Sequence, residues 1–267
     1  MTTPTISLTP EQIDFYHQQG YLSLPSLMTP EEVEAVRQIY DRLFAERAGR
    51  EEGNQFDLAG ADEEGKEATL PQILGPVKYA PELADFPFRA TALTIAEQLL
   101  GPDAEVRGEH AILKPAGIGA PTPWHQDEAY WNPGLDYNAI SMWIPLQEAT
   151  IENGCLQFVP GSFHLGVQAH HSINNDPRIH GLEIDHIDPA SVVACPIPAG
   201  GATIHHCRTV HYAGPNQTDR PRRAYILGFG LPTKPREAIR DFYWQREKRT
   251  AREERRQAVL AAQKRAQ

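Results

Sequence analysis

The spacing of apolar residues predicts two helices at the start of the chain, separated by a short strand. Thr9-Pro10-Glu11 and Thr29-Pro30-Glu31 each place a capping hydroxyl, a proline and an acid in the order that begins a helix. The first helix is expected to end at Gly20, and the alternating run 21–24 is expected to form a strand. The second helix carries apolar residues at helical spacing, and they form one buried stripe: Val33, Val36, Ile39, Tyr40, Leu43 and Phe44.

Two further segments precede the β-rich part of the chain. Residues 49–68 are rich in Gly, Glu and Asp and poor in apolar side chains, which is typical of a mobile surface loop. Residues 88–100 have a helical pattern, and Gly101 follows them at the position where a helix ends. We therefore expect a helical flank over residues 1–101.

From residue 105 onwards the pattern changes to short runs of β-type residues separated by proline and glycine. Regularly spaced strands without intervening helices favour an antiparallel sandwich or barrel over a parallel α/β sheet. A long crossover loop is expected over 163–190, with His170 and His171 at its surface. The predicted strands are 105–114, 138–146, 155–159, 191–197, 202–207 and 222–231.

The last part of the chain is predicted to be one charged helix, over about 235–267, anchored by aromatic residues near its start. The whole chain of 267 residues is then expected to be a single domain. Its β-sheet core would span about 105–232, between the helical flank and the charged helix.

The charge of the chain is unevenly distributed. The net charge is −10, yet the segment from Lys234 onwards has 11 Lys and Arg against 5 Asp and Glu. The acidic remainder argues against nucleic-acid binding. The basic segment either contacts an anionic partner or is a solvated helix face with its own ion pairs.

The composition also bears on the compartment. The chain has no apolar run of the roughly 18 residues that a membrane span needs. Its three cysteines are an odd number without Cys-x-x-Cys spacing, which favours reduced thiols and a cytoplasmic protein.

The candidate chemistry lies at His125 and Asp127, with a distant third residue, His211. Residues two apart on a strand point to the same side, so the first pair can reach one metal ion. Two imidazoles and one carboxylate are the ligand set of a mononuclear iron(II) site with open coordination positions. The same alternation directs Gln126 to the other face, although we keep it among the candidate cofactor-binding residues.

Arg222 supplies the second half of the pattern. A guanidinium is a planar fork that can hold a carboxylate with two hydrogen bonds. Together with the three metal ligands, it indicates an oxygenase that uses iron(II), O2 and 2-oxoglutarate, whose far carboxylate it would bind. Arg223 should point to the opposite face as a solvated charge. His205 lies on the same side of its strand as His211, in either a packing role or a role beside the ligands.

Three segments resemble the phytanoyl-CoA dioxygenase family, in the same order and spacing over roughly residues 105–230. They are the iron-binding segment Lys114-Pro115 to Pro123-Trp124-His125-Gln126-Asp127, the stretch from Trp143-Ile144-Pro145-Leu146 to Asn153-Gly154-Cys155, and His211-Tyr212-Ala213-Gly214-Pro215-Asn216 followed by Arg222. The chain departs from the family at Ala213, where many members have a small hydroxyl residue.

The resemblance implies a mainly β fold, a double-stranded β-helix or jelly roll with helices packed outside it. It implies iron bound by the three ligands and the C5 carboxylate of 2-oxoglutarate bound by Arg222. It places Trp143 beside the cosubstrate and matches Lys78 with a cosubstrate-contacting lysine. Because Asp127 is present, it favours hydroxylation over halogenation.

We therefore expect an iron(II)/2-oxoglutarate-dependent dioxygenase that hydroxylates a small organic metabolite at an unactivated C–H bond, assisted by ascorbate. Residues 49–68 and 163–190 are the candidate lids. The alternatives are a non-catalytic metal-binding jelly-roll protein and a metal-dependent hydrolase or isomerase on the same barrel. The sequence does not specify the substrate or the oligomeric state.

Overall fold

The structure is a computed structural model that describes residues 6–266. Its first three helices and most strands of its core occur where the sequence pattern predicts them. Residues 1–5 and 267, which the predicted flanks include, lie outside the described residues. The helices are α1 (Pro10–Gln19), α2 (Pro30–Ala45), α3 (Phe88–Leu100), α4 (Tyr243–Glu247) and α5 (Ala251–Ala266). The strands are β1 (Tyr21–Leu24), β2 (Gln55–Asp57), β3 (Pro71–Leu74), β4 (Glu105–Lys114), β5 (Thr122–His125), β6 (Leu135–Asp136), β7 (Ala139–Pro145), β8 (Leu156–Phe158), β9 (His171–Ser172), β10 (Leu182–Glu183), β11 (Val193–Cys195), β12 (Ala202–His206), β13 (His211–Ala213), β14 (Arg222–Gly230) and β15 (Lys234–Pro235).

Eleven of the strands form two antiparallel sheets that pack face to face, and the pairs β9–β10 and β6–β15 form two small sheets of their own. The larger sheet has the order β1-β12-β7-β14-β4-β3-β2, and the smaller sheet has the order β11-β8-β13-β5. Buried side chains of both sheets meet in one cluster, with Trp143 and Ile226 from the larger sheet and Phe158 and Ala213 from the smaller. This arrangement is a mainly β jelly roll, so the predicted fold class is confirmed.

Strand β14 separates the two faces of the larger sheet. It pairs with β4 on one side and with β7 on the other. Ala224 faces the smaller sheet, whereas Tyr225 packs among residues of the helices. Arg222 points inward, and Arg223 points outward to form an ion pair with Asp41 of α2, its Nε lying 2.5 Å from Oδ1. Alternation thus places two adjacent arginines in different environments.

Both N-terminal helices begin at capping boxes, which explains why the sequence predicts their starts correctly. α1 follows Thr9 and ends at Gly20, which adopts a left-handed φ of 77°. At α2 the Glu32 carboxylate accepts hydrogen bonds from the backbone N–H groups of Thr29 (2.9 Å) and Phe88 (3.0 Å), so it also joins α2 to α3. Four residues of the predicted stripe are fully buried, Val33, Val36, Tyr40 and Leu43.

The prediction of a mobile surface loop over residues 49–68 was wrong at its centre. Strand β2 lies in this segment and pairs with β3 at the edge of the larger sheet. Phe56 is 1% exposed. The Asp57 carboxylate accepts hydrogen bonds from the backbone N–H groups of Ala59, Thr69 and Leu70 at 3.0–3.1 Å. Two buried apolar residues, Phe56 and Leu58, and one acid that binds backbone therefore hold an otherwise polar segment against the core.

The predicted single C-terminal helix consists of two helices joined by Lys248-Arg249-Thr250. α4 is anchored as expected, because the Trp244 indole N–H donates to the Ala129 carbonyl oxygen (3.0 Å). Thr250 begins α5, where its hydroxyl accepts a hydrogen bond from the Glu253 backbone N–H (3.3 Å). This second start follows the pattern of Thr9 and Thr29 and divides the segment. Within residues 6–266, none of the helices combines the length and apolar character needed to cross a bilayer.

Candidate metal centre and its cavity

Pairing of β5 with β13 brings the two candidate histidines together. His125 and His211 are directly opposite each other in this antiparallel pair. Their ring centroids are 4.1 Å apart. Because the strands are 86 residues apart in the sequence, only the sheet makes this contact, and both imidazoles point to the inside of the jelly roll.

Asp127 completes the group from a 3₁₀ turn that begins where β5 ends. Its Oδ1 is 3.8 Å from Nε2 of His125 and 3.6 Å from Nε2 of His211. One ligand atom from each of the three residues lies within 4.8 Å of the other two. The three side chains predicted from the sequence therefore converge with the spacing that a single metal ion requires.

Backbone and side-chain contacts orient each of the three groups. Nδ1 of His125 lies 2.7 Å from the Pro123 carbonyl oxygen, and Nδ1 of His211 lies 2.9 Å from the Thr209 carbonyl oxygen. Each ring therefore donates through Nδ1 and keeps the lone pair of Nε2 for a metal.

The two oxygens of Asp127 have different surroundings. Oδ2 accepts a hydrogen bond from the Ser141 hydroxyl (2.6 Å) and lies 3.3 Å from Nε2 of His205. Oδ1 faces the imidazoles of His125 and His211. One oxygen is thus held in place while the other is directed at the site where a metal would lie.

The protonation states also suit a metal. Burial lowers the pKa of His125 and of His211, which keeps both imidazoles neutral. Burial alone would raise the pKa of Asp127, but the hydrogen bond from His205 holds that pKa well below its usual range. The donors are therefore two neutral nitrogens and one carboxylate anion, the set that suits iron(II).

The three groups line a cavity of about 1050 Å³ between the sheets and the C-terminal segment. Arg222 and Trp143 line the same cavity, as does Ala213, and the exposed Lys78 contributes to its wall. This volume exceeds what a five-carbon dicarboxylate alone would need, so the cavity has room for a second small molecule.

Arg222 is a buried cation without a carboxylate partner among the described residues. It is 1% exposed, its guanidinium carbon lies 5.2 Å from the Trp143 ring centroid, and its Nε and Nη1 have no hydrogen-bond partner. Burial lowers the pKa of Arg222 to about 10, so the group is still charged at neutral pH. Because an unpaired buried charge is costly, this arrangement fits the carboxylate of a bound cosubstrate.

Lys114 lies beside Arg222 on the paired strand, but its charge is already solvated by the protein. Its fully buried ammonium group donates to the carbonyl oxygens of Ala120 and Ala213, the latter at 3.4 Å. Burial, together with the charge of Arg222, lowers the pKa of Lys114 well below its usual value. Of these two neighbours, only Arg222 therefore has free donors inside the cavity.

The placement of Gln126 does not agree with a role in cofactor binding. Its side-chain amide donates to the carbonyl oxygens of Gly166 (2.8 Å) and Arg208 (2.6 Å), and its Oε1 accepts from the backbone N–H of Gln168 (2.8 Å). The residue is fully buried on the face away from the cavity, as strand alternation requires. It secures the crossover loop behind the ligand strand.

Several cavity residues were missed in the sequence. Ser141, which has no signal in the sequence, contacts Asp127. His205 also contacts Asp127, which is the role beside the ligands that the sequence had left open. Arg252 and Arg256 of α5 and His180 of the crossover loop also line the cavity. The expectation that His170 lies at the surface of the crossover loop was also wrong. His170 is 1% exposed, and its Nε2 accepts a hydrogen bond from the Gln126 backbone N–H (3.1 Å).

A jelly roll that carries two histidines and one carboxylate at a single internal site defines the class of mononuclear non-haem iron oxygenases. Comparison with known proteins specifies this class further. The profile of the phytanoyl-CoA dioxygenase (PhyH) family matches residues 16–224. The chain belongs to the phytanoyl-CoA dioxygenase family.

Characterised relatives agree with this assignment. The chain is 25% identical to a probable alpha-ketoglutarate-dependent hypophosphite dioxygenase of Stutzerimonas stutzeri, over 82% of this chain and 77% of the relative. It is 26% identical to a phytanoyl-CoA dioxygenase of Arabidopsis thaliana, over 84% of this chain and 89% of the relative.

A solved structure is more similar still. EvdO2 from Micromonospora carbonacea var. aurantiaca, determined in complex with 2-oxoglutarate, is 40% identical over 90% of this chain and 98% of that protein, with a TM-score of 0.77. The chain is accordingly an iron(II)- and 2-oxoglutarate-dependent dioxygenase, and the predicted enzyme class and cofactors are confirmed.

Proposed function

We propose that the protein hydroxylates an unactivated C–H bond of a small organic molecule, with His125, Asp127 and His211 as the iron ligands. Arg222 holds the C5 carboxylate of 2-oxoglutarate in this proposal. The observation that carries it is the pair of unpartnered guanidinium nitrogens in the same cavity as the three ligands. Burial of an unpaired cation lowers the stability of the fold, and an anion that binds to the cation offsets this cost.

The side chains around the cavity have separate tasks. The histidines are held as neutral donors by the carbonyl oxygens of Pro123 and Thr209, and Ser141 fixes the non-ligating oxygen of Asp127. When both are bound, iron and 2-oxoglutarate supply, together with O2, an oxidant that is strong enough to attack a C–H bond. In the same reaction 2-oxoglutarate is converted to succinate and CO2.

The cosubstrate contacts follow from the lining of the cavity. Trp143 packs against the Arg222 guanidinium and limits the directions in which it can point. Lys78 stands on an exposed turn at the cavity wall, where it would meet the cosubstrate or the substrate. Ala213 offers no hydroxyl, so Arg222 carries the recognition of the far carboxylate without that help.

The experiment measures the 2-oxoglutarate dependence of succinate formation in the variants Arg222→Gln and Arg223→Gln. Loss of a charge-assisted pair costs about 2–3 kcal/mol, so Arg222→Gln should raise the half-saturating 2-oxoglutarate concentration about 30- to 150-fold. Arg223→Gln is the matched control, because Arg223 pairs with Asp41 outside the sheet.

An anaerobic calorimetric titration with 2-oxoglutarate separates binding from turnover. Arg222→Gln should lose affinity by a similar factor, whereas Arg223→Gln should bind as the unmodified protein does. Equal affinities in the two variants would remove Arg222 from the proposed role.

We also infer a small-molecule substrate and a cytoplasmic location. The enclosed cavity supports the first inference. The second is supported by Cys155, Cys195 and Cys207, which are all buried free thiols.

A further inference from the structure

Helix α5 forms part of the cavity wall through Arg252 and Arg256. These residues are four positions apart and therefore share one face of the helix. An ion pair between Arg255, the residue before Arg256, and Asp62 fixes α5 to the body of the protein. Gly53 allows close approach of the helix backbone, because a Cβ at this position would lie 2.6 Å from the carbonyl oxygen of Arg252.

The two arginines lack an ion-pair partner within residues 6–266. Nε of Arg252 is buried without a hydrogen-bond acceptor. The nearest acid on the helix, Glu253, is engaged at the start of α5, where its Oε2 accepts from the Thr250 hydroxyl (3.2 Å). Like charges four residues apart on a helix repel each other, so this face is destabilised until an anion approaches.

Aromatic rings surround the cationic face. The guanidinium carbon of Arg252 lies 5.2 Å from the Phe56 ring centroid. His180 packs between the rings of Phe56 and Tyr130, at centroid distances of 4.9 and 5.7 Å, and its buried Nδ1 has no hydrogen-bond partner. Burial, and then the charge of Arg256, lowers the pKa of Arg252 to about 10, which leaves it charged at neutral pH. Partial exclusion of water strengthens any charge pairing made here.

The cavity is basic although the chain is acidic. Five Lys and Arg residues line it against two Asp and Glu residues, whereas the whole chain has 25 against 35. Of the two acids, Asp127 belongs to the metal centre, and Glu109 is paired with Arg89, Oε2 to Nη1 at 2.7 Å. With Arg222 assigned to 2-oxoglutarate, no acidic side chain that lines the cavity is left to pair with the two arginines of α5.

We propose that Arg252 and Arg256, with His180 beside them, bind an anionic group of the substrate, a carboxylate or a phosphate. The planar guanidinium groups pair with either oxyanion, and the remainder of the substrate occupies the cavity that leads to the metal centre. Both arginines lie outside residues 16–224, the part of the chain that matches the family profile, whereas His180 lies within it. This assignment of the substrate class rests on the proposed function.

The experiment uses the full chain loaded anaerobically with iron(II) and 2-oxoglutarate, so that Arg222 is already occupied. Calorimetry measures the binding of phenyl phosphate, benzoate and the uncharged benzyl alcohol. At least one of the two anions should bind more tightly than benzyl alcohol, and the tighter anion identifies the group that the substrate carries. Failure of both anions to bind, or no preference over the alcohol, would overturn the proposal.

The variants test the residues. The double variant Arg252→Gln/Arg256→Gln should bind the preferred anion at least 10-fold more weakly than the unmodified protein. Arg265→Gln removes one positive charge at an exposed position of α5, as Arg256→Gln does, and should bind normally. Should the double variant fail to fold, Arg256→Gln alone, at an exposed residue, should still weaken binding at least 3-fold. Unchanged affinity in the variant that folds contradicts the assignment.

A second readout separates this inference from the proposed function. 2-Oxoglutarate should bind the double variant as it binds the unmodified protein, because Arg222 and the metal ligands are intact. If Arg222→Gln loses 2-oxoglutarate binding and the double variant does not, the result supports the cosubstrate assignment of Arg222. The anion titration then decides whether the α5 site exists. Loss of anion binding in Arg222→Gln, with normal binding in the α5 double variant, would place the anion at the cosubstrate site and overturn the α5 proposal.

Discussion

At the scale of single residues, Asp127 shows how a site is made from contacts that the ligand set alone does not reveal. One carboxylate oxygen faces the two imidazoles, and the other is held by Ser141 and His205. Ser141 of β7 and His205 of β12 are directly opposite each other in the β12–β7 pair. The larger sheet therefore orients a ligand that the smaller sheet and its following turn provide.

Removing the Ser141 hydroxyl tests this arrangement. Ser141→Ala should weaken metal binding about 10- to 100-fold, because contacts that orient metal ligands typically contribute that much to affinity. An anaerobic titration with iron(II), followed by calorimetry, measures the effect. Asp127→Ala gives the reference for loss of a ligand. Unaltered affinity in Ser141→Ala would mean that His205 alone holds the carboxylate.

The sequence predicted the residues of the site unevenly. His125, Asp127 and His211 could be recognised because their residue types and spacing are local properties of the chain. Ser141 could not be, since its role depends on the register between β12 and β7. Gln126 was kept among the candidate cofactor-binding residues, but side-chain alternation directs its amide to the carbonyl oxygens of Gly166 in the crossover loop and of Arg208.

At the scale of elements, the segments with local signals were predicted well and those held by distant contacts were not. Capping residues set the starts of α1 and α2, and short β-type runs identified the strands β4, β7, β8, β11, β12 and β14. The paired strands β2 and β3 were missed, and Asp57 of β2 accepts hydrogen bonds from backbone groups more than ten residues away. The break before α5 had a local signal at Thr250, which the charge pattern of the segment concealed.

The link between α2 and α3 gives a prediction at this scale. Glu32→Ala removes the acceptor for two backbone N–H groups, those of Thr29 and Phe88, and should lower the free energy of unfolding by about 2–3 kcal/mol. Glu31→Ala, at the neighbouring exposed position, should change it by about 0.5 kcal/mol or less. Urea unfolding followed by circular dichroism compares the two. Equal losses would show that the hydrogen bonds of Glu32 are not what stabilises the junction.

At the scale of the whole molecule, buried histidines make the fold sensitive to acid. Burial lowers the pKa of His170 to about 4 and that of His206 to about 3. In an unfolded chain a histidine has a pKa of about 6.5. Between these values the unfolded chain binds protons that the folded chain does not, so the free energy of unfolding decreases as the pH falls from about 6.5 towards 4.

His170→Gln tests this pH dependence in the metal-free protein. The variant removes one titrating group and should reduce the slope of unfolding free energy against pH by roughly 1 kcal/mol per pH unit between pH 6 and 4.5. Urea unfolding at a series of pH values measures the slope. His164→Gln, at an exposed histidine, serves as the control. An unchanged slope in His170→Gln would show that the acid sensitivity arises elsewhere.

The position of α5 beyond the family-matched residues has an evolutionary consequence. His125, His211 and Arg222 lie on strands of the jelly roll and Asp127 lies on the turn after β5, whereas this helix contributes its side chains from outside the sheets. If the proposed anion site on its inner face selects the substrate, mutations there would alter which molecule enters without disturbing the oxidation machinery. A lineage could then exchange one metabolite for another through a few changes in this helix and keep a working catalyst throughout.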